Sequence, residues 1–292
     1  LCDKYGPRLC YTYLLILGSI PVILIGFVQT PLQFLICRLF IGFIGASFVI
    51  TQFHTSIMFA PNIVGTANAT SAGWGNLGGG ANRLGMPLIA AAVVSFGVAD
   101  EIAWRYSMII AGIIAMLMGV VYYFFTQDTP EGNFKELKEA GKMPKLKKDE
   151  ESFLSVLKDY RVWILFIVYA ASFGMELTVY GTMDDYLQNT FGLTRSTAGN
   201  LVLSFALMNI FARTLGGFFG DRFGRLRGLR GRVLFLTVIL ALEGVMLSTF
   251  SLATSFAMGI IFLIAFSLTV QMAEGATFSV VPFINKKAIV SI

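Results

Sequence analysis

The sequence predicts an all-α protein that crosses a membrane several times, and three observations predict it. Of its 292 residues, 56% are hydrophobic and only 13% are charged, roughly half the charge of a soluble domain. Mean hydropathy is +0.74. The charges are gathered between apolar runs, each long enough to cross the ~30 Å hydrocarbon core of a bilayer.

Taken in order, residues 1–8 are a short polar entry, and apolar runs follow at about 9–28, 32–59, 66–98 and 103–125. Residues 126–161 are the one long hydrophilic stretch, with eight Lys or Arg and eight Asp or Glu. Four more runs follow at about 162–187, 198–220, 233–250 and 256–284, which makes eight crossings in two sets of four. The expected division is 1–126 as the rest of a first helix bundle, 127–161 as an inter-bundle loop and 162–292 as the first part of a second bundle. A start at Leu1 without Met or leader, and a stop shortly after Lys286 and Lys287, read as an internal piece of a longer polytopic protein.

Sidedness follows from the positive-inside bias. Lys4, Arg8, the basic part of 126–161, Arg222, Arg225, Arg227, Arg230, Arg232, Lys286 and Lys287 fall at one set of loop ends. The opposite set has Arg105 and Arg195 beside Asp100, Glu101, Asp184 and Asp185. The first set, including the 126–161 loop, is expected in the cytoplasm, where an even number of crossings returns both ends. The net charge of +5 is thus a topology signal and points to no nucleic acid. Asn68-Ala69-Thr70 is a glycosylation sequon, but it falls on the cytoplasmic side and is expected to be unused.

Three cysteines outside any C-x-x-C spacing and a single histidine, His54, give no metal or disulfide framework. No nucleophile–base constellation points to an enzyme, and no cofactor is expected.

The third run contains Gly73-Trp74-Gly75-Asn76-Leu77-Gly78-Gly79-Gly80. Each glycine would cost a soluble helix up to ~1 kcal/mol against Ala, whereas in a membrane small residues let helix backbones approach closely. Gly73, Gly75 and Gly78 also satisfy a dinucleotide fingerprint, but the strand and βαβ unit which that motif requires are absent from the pattern. Helix packing and gating is the reading for all five glycines.

Asp3-Lys4-Tyr5-Gly6-Pro7-Arg8 precedes the first run, and Asp221-Arg222-Phe223-Gly224-Arg225 precedes the seventh. One copy would be ordinary positive-inside charge. Two copies at matching places in the halves point to an internal duplication, with Asp at a helix end pairing with arginine and Gly permitting the turn.

Four ionisable or aromatic features inside the runs could carry chemistry. Arg213 costs roughly 2.5–3.5 kcal/mol to insert, so it either snorkels or pairs structurally, or it anchors an anion through forked donors suited to a trigonal oxyanion. Tyr169 and Phe173 share a helix face at i, i+4, a spacing that packing alone also produces. Glu176 and Glu274 are membrane carboxylates, which are structural partners of a cation such as Arg213 or carriers of protons. Arg38 and His54 read as packing and structural groups.

The D-[KR]-x-G-x-R loops resemble the signature of the major facilitator superfamily, and Arg38-x-x-x-Gly42-x-x-Gly45-Ala46 resembles a second motif of it. The segment from Gly65 to Gly80 is similar to the fifth-helix signature of the nitrate/nitrite porter family. Gln271-Met272-Ala273-Glu274-Gly275-Ala276-Thr277-Phe278 with Val281-Pro282-Phe283 is similar to the tenth helix of plant, algal and fungal high-affinity nitrate transporters. The resemblance implies a major facilitator helical bundle with the third to tenth of twelve helices present. It implies that Arg213 holds nitrate, that Tyr169 hydrogen-bonds it, that Phe173 and Phe48 pack on its two faces, and that Asn76 stands near it. A second anion-clamping arginine would come from a helix before Leu1.

The expected activity is uptake of nitrate, with nitrite as a further substrate, across the plasma membrane by proton symport with alternating access. Glu176 and Glu274 would carry the protons. Nitrate–nitrite exchange, transport of another small anion, and a non-transporting nitrate sensor are the competing readings. The implied partners are substrate, protons and lipid, with no accessory subunit specified.

Overall fold

A computed structural model describes residues 1–142 and 157–284. Lys286, Lys287 and residues 143–156 of the hydrophilic loop lie outside the described residues. The helices are α1 Cys2–Tyr5, α2 Pro7–Ile25, α3 Pro31–Ile41, α4 Ala46–Met58, α5 Val64–Ser95, α6 Asp100–Phe125, α7 Phe134–Glu139, α8 Tyr160–Phe191, α9 Arg195–Leu207, α10 Ala212–Ser251 and α11 Phe256–Ile284. Strand-like pairing among the described residues is limited to one bridge between Thr129 and Gly132.

Helix ends follow local chemistry. Thr30 and Gln33 form a capping box at α3, with Pro31 at the first helical position. Asp159 caps α8 by accepting from the Arg161 amide at 3.0 Å, and α8 stops at Gly192 with φ +65°. Thr194 caps α9, and Asp100 and Glu101 occupy the first turn of α6, where the helix dipole favours acids.

Seven stretches among the described residues are long and apolar enough to cross a membrane, where the sequence has eight runs. The difference lies in one stretch, Arg195–Ser251, of 57 residues. At ~1.5 Å per residue it is more than twice the length a crossing needs. It is interrupted by a 3-10 turn at Met208–Ile210 and by Gly228, with φ +61° and ψ −148°. Gly228 falls between the sixth and seventh apolar runs, so the two runs are separate helical segments joined by a kink at that glycine. Leu39, Phe124, Phe166 and Ile261 are largely exposed, which gives an apolar exterior suited to lipid and unsuited to water. The protein is a multi-pass membrane protein.

The chain forms two compact units. The first comprises Leu1–Met58 and residues from 81 to 142 among those described. There α2 packs along α6, and an added Cβ at Gly26 or Gly112 would press into Ile109 or Ile23 at 2.5 Å. The second comprises Phe59–Gly80 and the described residues from 157 onward. Its cores are built from Val179, Met183, Val202, Phe205 and Phe266, and from Leu165, Leu236, Ile239 and Ala276. The start of α5 joins this unit because Gly217 leaves room for the Gly65 carbonyl and Gly73 for that of Asn209.

The two acid–glycine–arginine loops are built differently. In the first, Gly6 has φ +87°, and the Arg8 amide donates to Asp128 at 2.9 Å while its guanidinium lies over the Tyr123 ring. Asp128 also accepts from the Phe134 amide at 3.0 Å, so it ties α2 to α7. Of Asp3 only the backbone, on α1, is described. In the second, Asp221 accepts from the Gly65 and Thr66 amides at 3.2 and 2.6 Å and pairs with Arg232 at 2.5 Å. Gly224 lies against that Arg232 side chain, while Arg225 is exposed. The arginine that answers the acid is thus Arg232, eleven residues on.

Candidate substrate and proton site

A polar cluster lies within the second unit, and interruption of a helix creates it. The 3-10 turn at Met208–Ile210 and the extended φ of −121° at Phe211 separate α9 from α10 just before Arg213. The freed carbonyl of Phe205 is answered by Gln271 Nε2 at 2.9 Å from α11, as a break in a membrane helix requires.

Arg213 is fully buried. Its Nη2 donates to Glu176 Oε2 at 2.7 Å, and the same nitrogen is ion-paired with Glu274 Oε2. The Asn76 amide, turned so that its oxygen faces Arg213, accepts from Nη2 at 2.7 Å and Nη1 at 2.9 Å. Nε is buried and finds no acceptor among the described residues. Glu176 and Glu274 are as deeply buried as the arginine. A guanidinium removed from water is tolerated only when paired and hydrogen-bonded, and both carboxylates pair with it. Arg213 therefore does not snorkel.

Arg213 and Glu176 are charged neighbours of the Tyr169 hydroxyl. Tyr169 and Phe173 stack, with centroids 5.4 Å apart and planes 13° from parallel, and Phe278 meets Tyr169 edge-on at 5.3 Å. The second unit thus brings together Arg213, Asn76, Tyr169, Phe173, Glu176 and Glu274. Phe48 is half-buried on α4, in the first unit. Of the five glycines, Gly73 meets Asn209 and Gly80 meets Ala206. A Cβ at Gly75, Gly78 or Gly79 would meet nothing within 4 Å, so packing in this structure does not demand glycine at those three places.

Three polar groups in apolar runs escape a reading by motif. Asn209 is fully buried and donates to Glu176 Oε1 at 2.7 Å and to the Tyr180 oxygen at 3.1 Å. Tyr180 donates to Glu176 Oε1 at 3.0 Å. Glu243, also buried, accepts from Ser172 at 2.8 Å. An amide or acid inside an apolar run is itself the available signal. Elsewhere His54 bridges the Tyr122 hydroxyl and the Gln127 carbonyl at 2.6 and 2.8 Å, and Arg38 is exposed with its guanidinium 6.0 Å from the Phe34 ring.

Similarity to known proteins agrees with this architecture. The chain is 37% identical over 289 residues to the high affinity nitrate transporter 2.5 of Arabidopsis thaliana, with 99% of this chain and 57% of that protein aligned. It is 27% identical to the nitrate/nitrite transporter NrtP of a Picosynechococcus strain, with 98% of this chain and 69% of that protein aligned. The chain spans just over half the length of the Arabidopsis relative. In fold it is similar to the inward-facing, unoccupied crystal structure of a bacterial homologue of the human lysosomal transporter Spinster, at TM-score 0.57 and 16% identity. That alignment covers 99% of this chain and 64% of the other. The Major Facilitator Superfamily profile matches residues 1–285, and with that match the chain belongs to the major facilitator superfamily.

Proposed function

We propose that the protein to which this chain belongs takes up nitrate, and nitrite with it, across the plasma membrane by proton symport. Its two bundles would divide as 1–126 and 162–292 around a cytoplasmic 127–161 loop and alternate access to one site. The observation that carries the reading is the buried Arg213, paired with Glu176 and Glu274 and left with a free Nε donor. The names of the relatives supply the anion, and the site supplies a reason for coupling. With both carboxylates ionised the trio carries one net negative charge, and a second anion entering beside them would be repelled. If both take up protons, Arg213 is released to face the anion and the site becomes neutral.

Substrate shape follows from the same groups. The guanidinium is planar, with forked donors, and the flat rings of Tyr169 and Phe173 favour a planar, weakly hydrated ion over tetrahedral phosphate. Phe48 would supply the opposite face, and the Gly73–Gly80 stretch would accommodate the gating motion. Exchange of nitrate for nitrite moves no protons and would leave the two carboxylates only as structural partners of Arg213, whereas symport would also give them the coupling role.

The test is nitrate uptake by the full-length protein in vesicles or in a host without its own system, with pH recorded on the side that loses substrate. Alkalinisation that accompanies uptake is expected. Uptake without any pH change would leave exchange, and binding without uptake would leave a sensor.

A further inference from the structure

Glu176, Tyr180 and Asp184 stand at i, i+4 and i+8 on α8, so they form one stripe along the helix. The first step of the stripe is a hydrogen bond: the Tyr180 hydroxyl donates to Glu176 Oε1 at 3.0 Å. Asn209 braces both ends of that bond through one amide nitrogen, at 2.7 and 3.1 Å. The edge of Phe205 closes on the Tyr180 ring, with planes at 90°. One turn further on, Asp184 lines a cleft of about 490 Å³ with Asp185, Gln188 and Arg195. The Lys/Arg distribution assigns this end of α8 to the outside.

We infer that Asp184 and Tyr180 are the route by which protons reach Glu176 from the outer cleft. The inference rests on the symport reading given above. A hydronium ion in the cleft gives its proton to Asp184, leaving water. The rise from Tyr180 to Asp184 is ~6 Å, room for one bridging water. That water takes the Asp184 proton and hands one of its own to the Tyr180 oxygen, as Tyr180 passes its phenolic proton to Glu176 Oε1. One O–H bond is lost at Asp184 and one is gained at Glu176, while water and Tyr180 each lose one and gain one. Tyr180 suits the task because a hydroxyl is both a donor, here to Glu176, and an acceptor.

The charged groups around the route make the direction sensible. Arg213 faces Glu176, and Glu274 faces Arg213, so a proton on Glu176 weakens the clamp on the guanidinium. At the mouth, Asp185 and Arg195 flank Asp184, and the cleft carries one net negative charge that gathers protons.

The experiment uses the full-length transporter in proteoliposomes, comparing wild type with Tyr180→Phe, Asp184→Asn and Asp185→Asn. Nitrate binding at equilibrium should be unchanged in all four. Nitrate-driven proton entry should fall about 100-fold in Tyr180→Phe, the lower end of what a positioned proton-transfer group contributes. It should also fall in Asp184→Asn, with KM for nitrate held and the maximal rate lost, and fall less in Asp185→Asn, which removes only the net negative charge at the mouth. Wild-type proton entry in both Tyr180→Phe and Asp184→Asn overturns this route and leaves symport standing. Loss of nitrate binding in both would make these residues supports of the anion site and also overturns it. Should Tyr180→Phe fail to fold, Asp184→Asn alone decides. Nitrate uptake by the wild type without proton movement overturns the symport reading and the route together.

Discussion

Arg213 is shared by two carboxylates and an amide, and each partner can be tested separately. Replacing it with Lys keeps the charge but loses the planar fork, and nitrate uptake should fall at least about tenfold, equivalent to ~1.4 kcal/mol. Normal surface expression with unchanged uptake would remove Arg213 from the substrate site. Glu274→Gln should act in a different way. Exchange of labelled nitrate across the membrane should persist, while accumulation driven by an acid exterior should be lost; retained accumulation would free Glu274 from coupling. Arg213, Glu176 and Glu274 were legible in the sequence because charge is rare inside an apolar run. Their mutual pairing was one of two readings there, since no spacing rule links residues 176, 213 and 274. Asn209 and Tyr180 belong to no motif; the amide inside an apolar run was the one signal for Asn209, and nothing in the sequence set Tyr180 apart from packing aromatics. Only the turn at Met208–Ile210 makes their place apparent.

At the level of single helices, the glycine-rich part of α5 separates into positions that need glycine and positions that do not. Gly73→Ala would drive its Cβ against the Asn209 carbonyl at 2.5 Å and should cost about 1–3 kcal/mol of stability by overpacking. Gly75→Ala meets nothing within 4 Å and should be nearly neutral in thermal unfolding; equal effects would contradict this packing. The start of α8 gives a pH prediction. Two side-chain hydrogen bonds from Arg161 Nε and Nη2 hold the Asp159 carboxyl below its ordinary value. Its contribution to the cap is therefore full above the unfolded-chain value of ~3.9 and is lost as pH falls through the lower folded-state value. Hydrogen exchange at the Arg161 amide should stay slow down to about pH 4 and quicken only below it. The helices were readable from run length, because hydrocarbon tolerates no unpaired backbone. What the runs could not give was Gly228, where two crossings meet with no polar spacer longer than the arginine-rich turn.

For the molecule as a whole, charge movement separates the competing readings. If two protons enter with each nitrate, every cycle carries one positive charge inward, worth ~2.3 kcal/mol per 100 mV. An interior made negative by about 60 mV should then raise the limiting accumulation ratio roughly tenfold. An exchanger of equal charges would show no such dependence, and indifference to voltage would exclude this stoichiometry. The duplicated loops pointed to an internal duplication, yet the chemistry of the two copies diverged. Asp128, in the hydrophilic stretch, and Arg232, beyond the second motif, are the partners that matter, and tertiary contact alone reveals them.

The short turn at Met208–Ile210 also resets the azimuth of everything that follows it. A 3-10 turn advances about 120° per residue and an α-helix about 100°, so three residues rotate the rest of the helix by roughly 60°. Had the chain wound through uniformly, Arg213 would look past Glu176 toward another quadrant of the bundle. A lesion that heals this irregular winding would blind the guanidinium without altering a single atom of it.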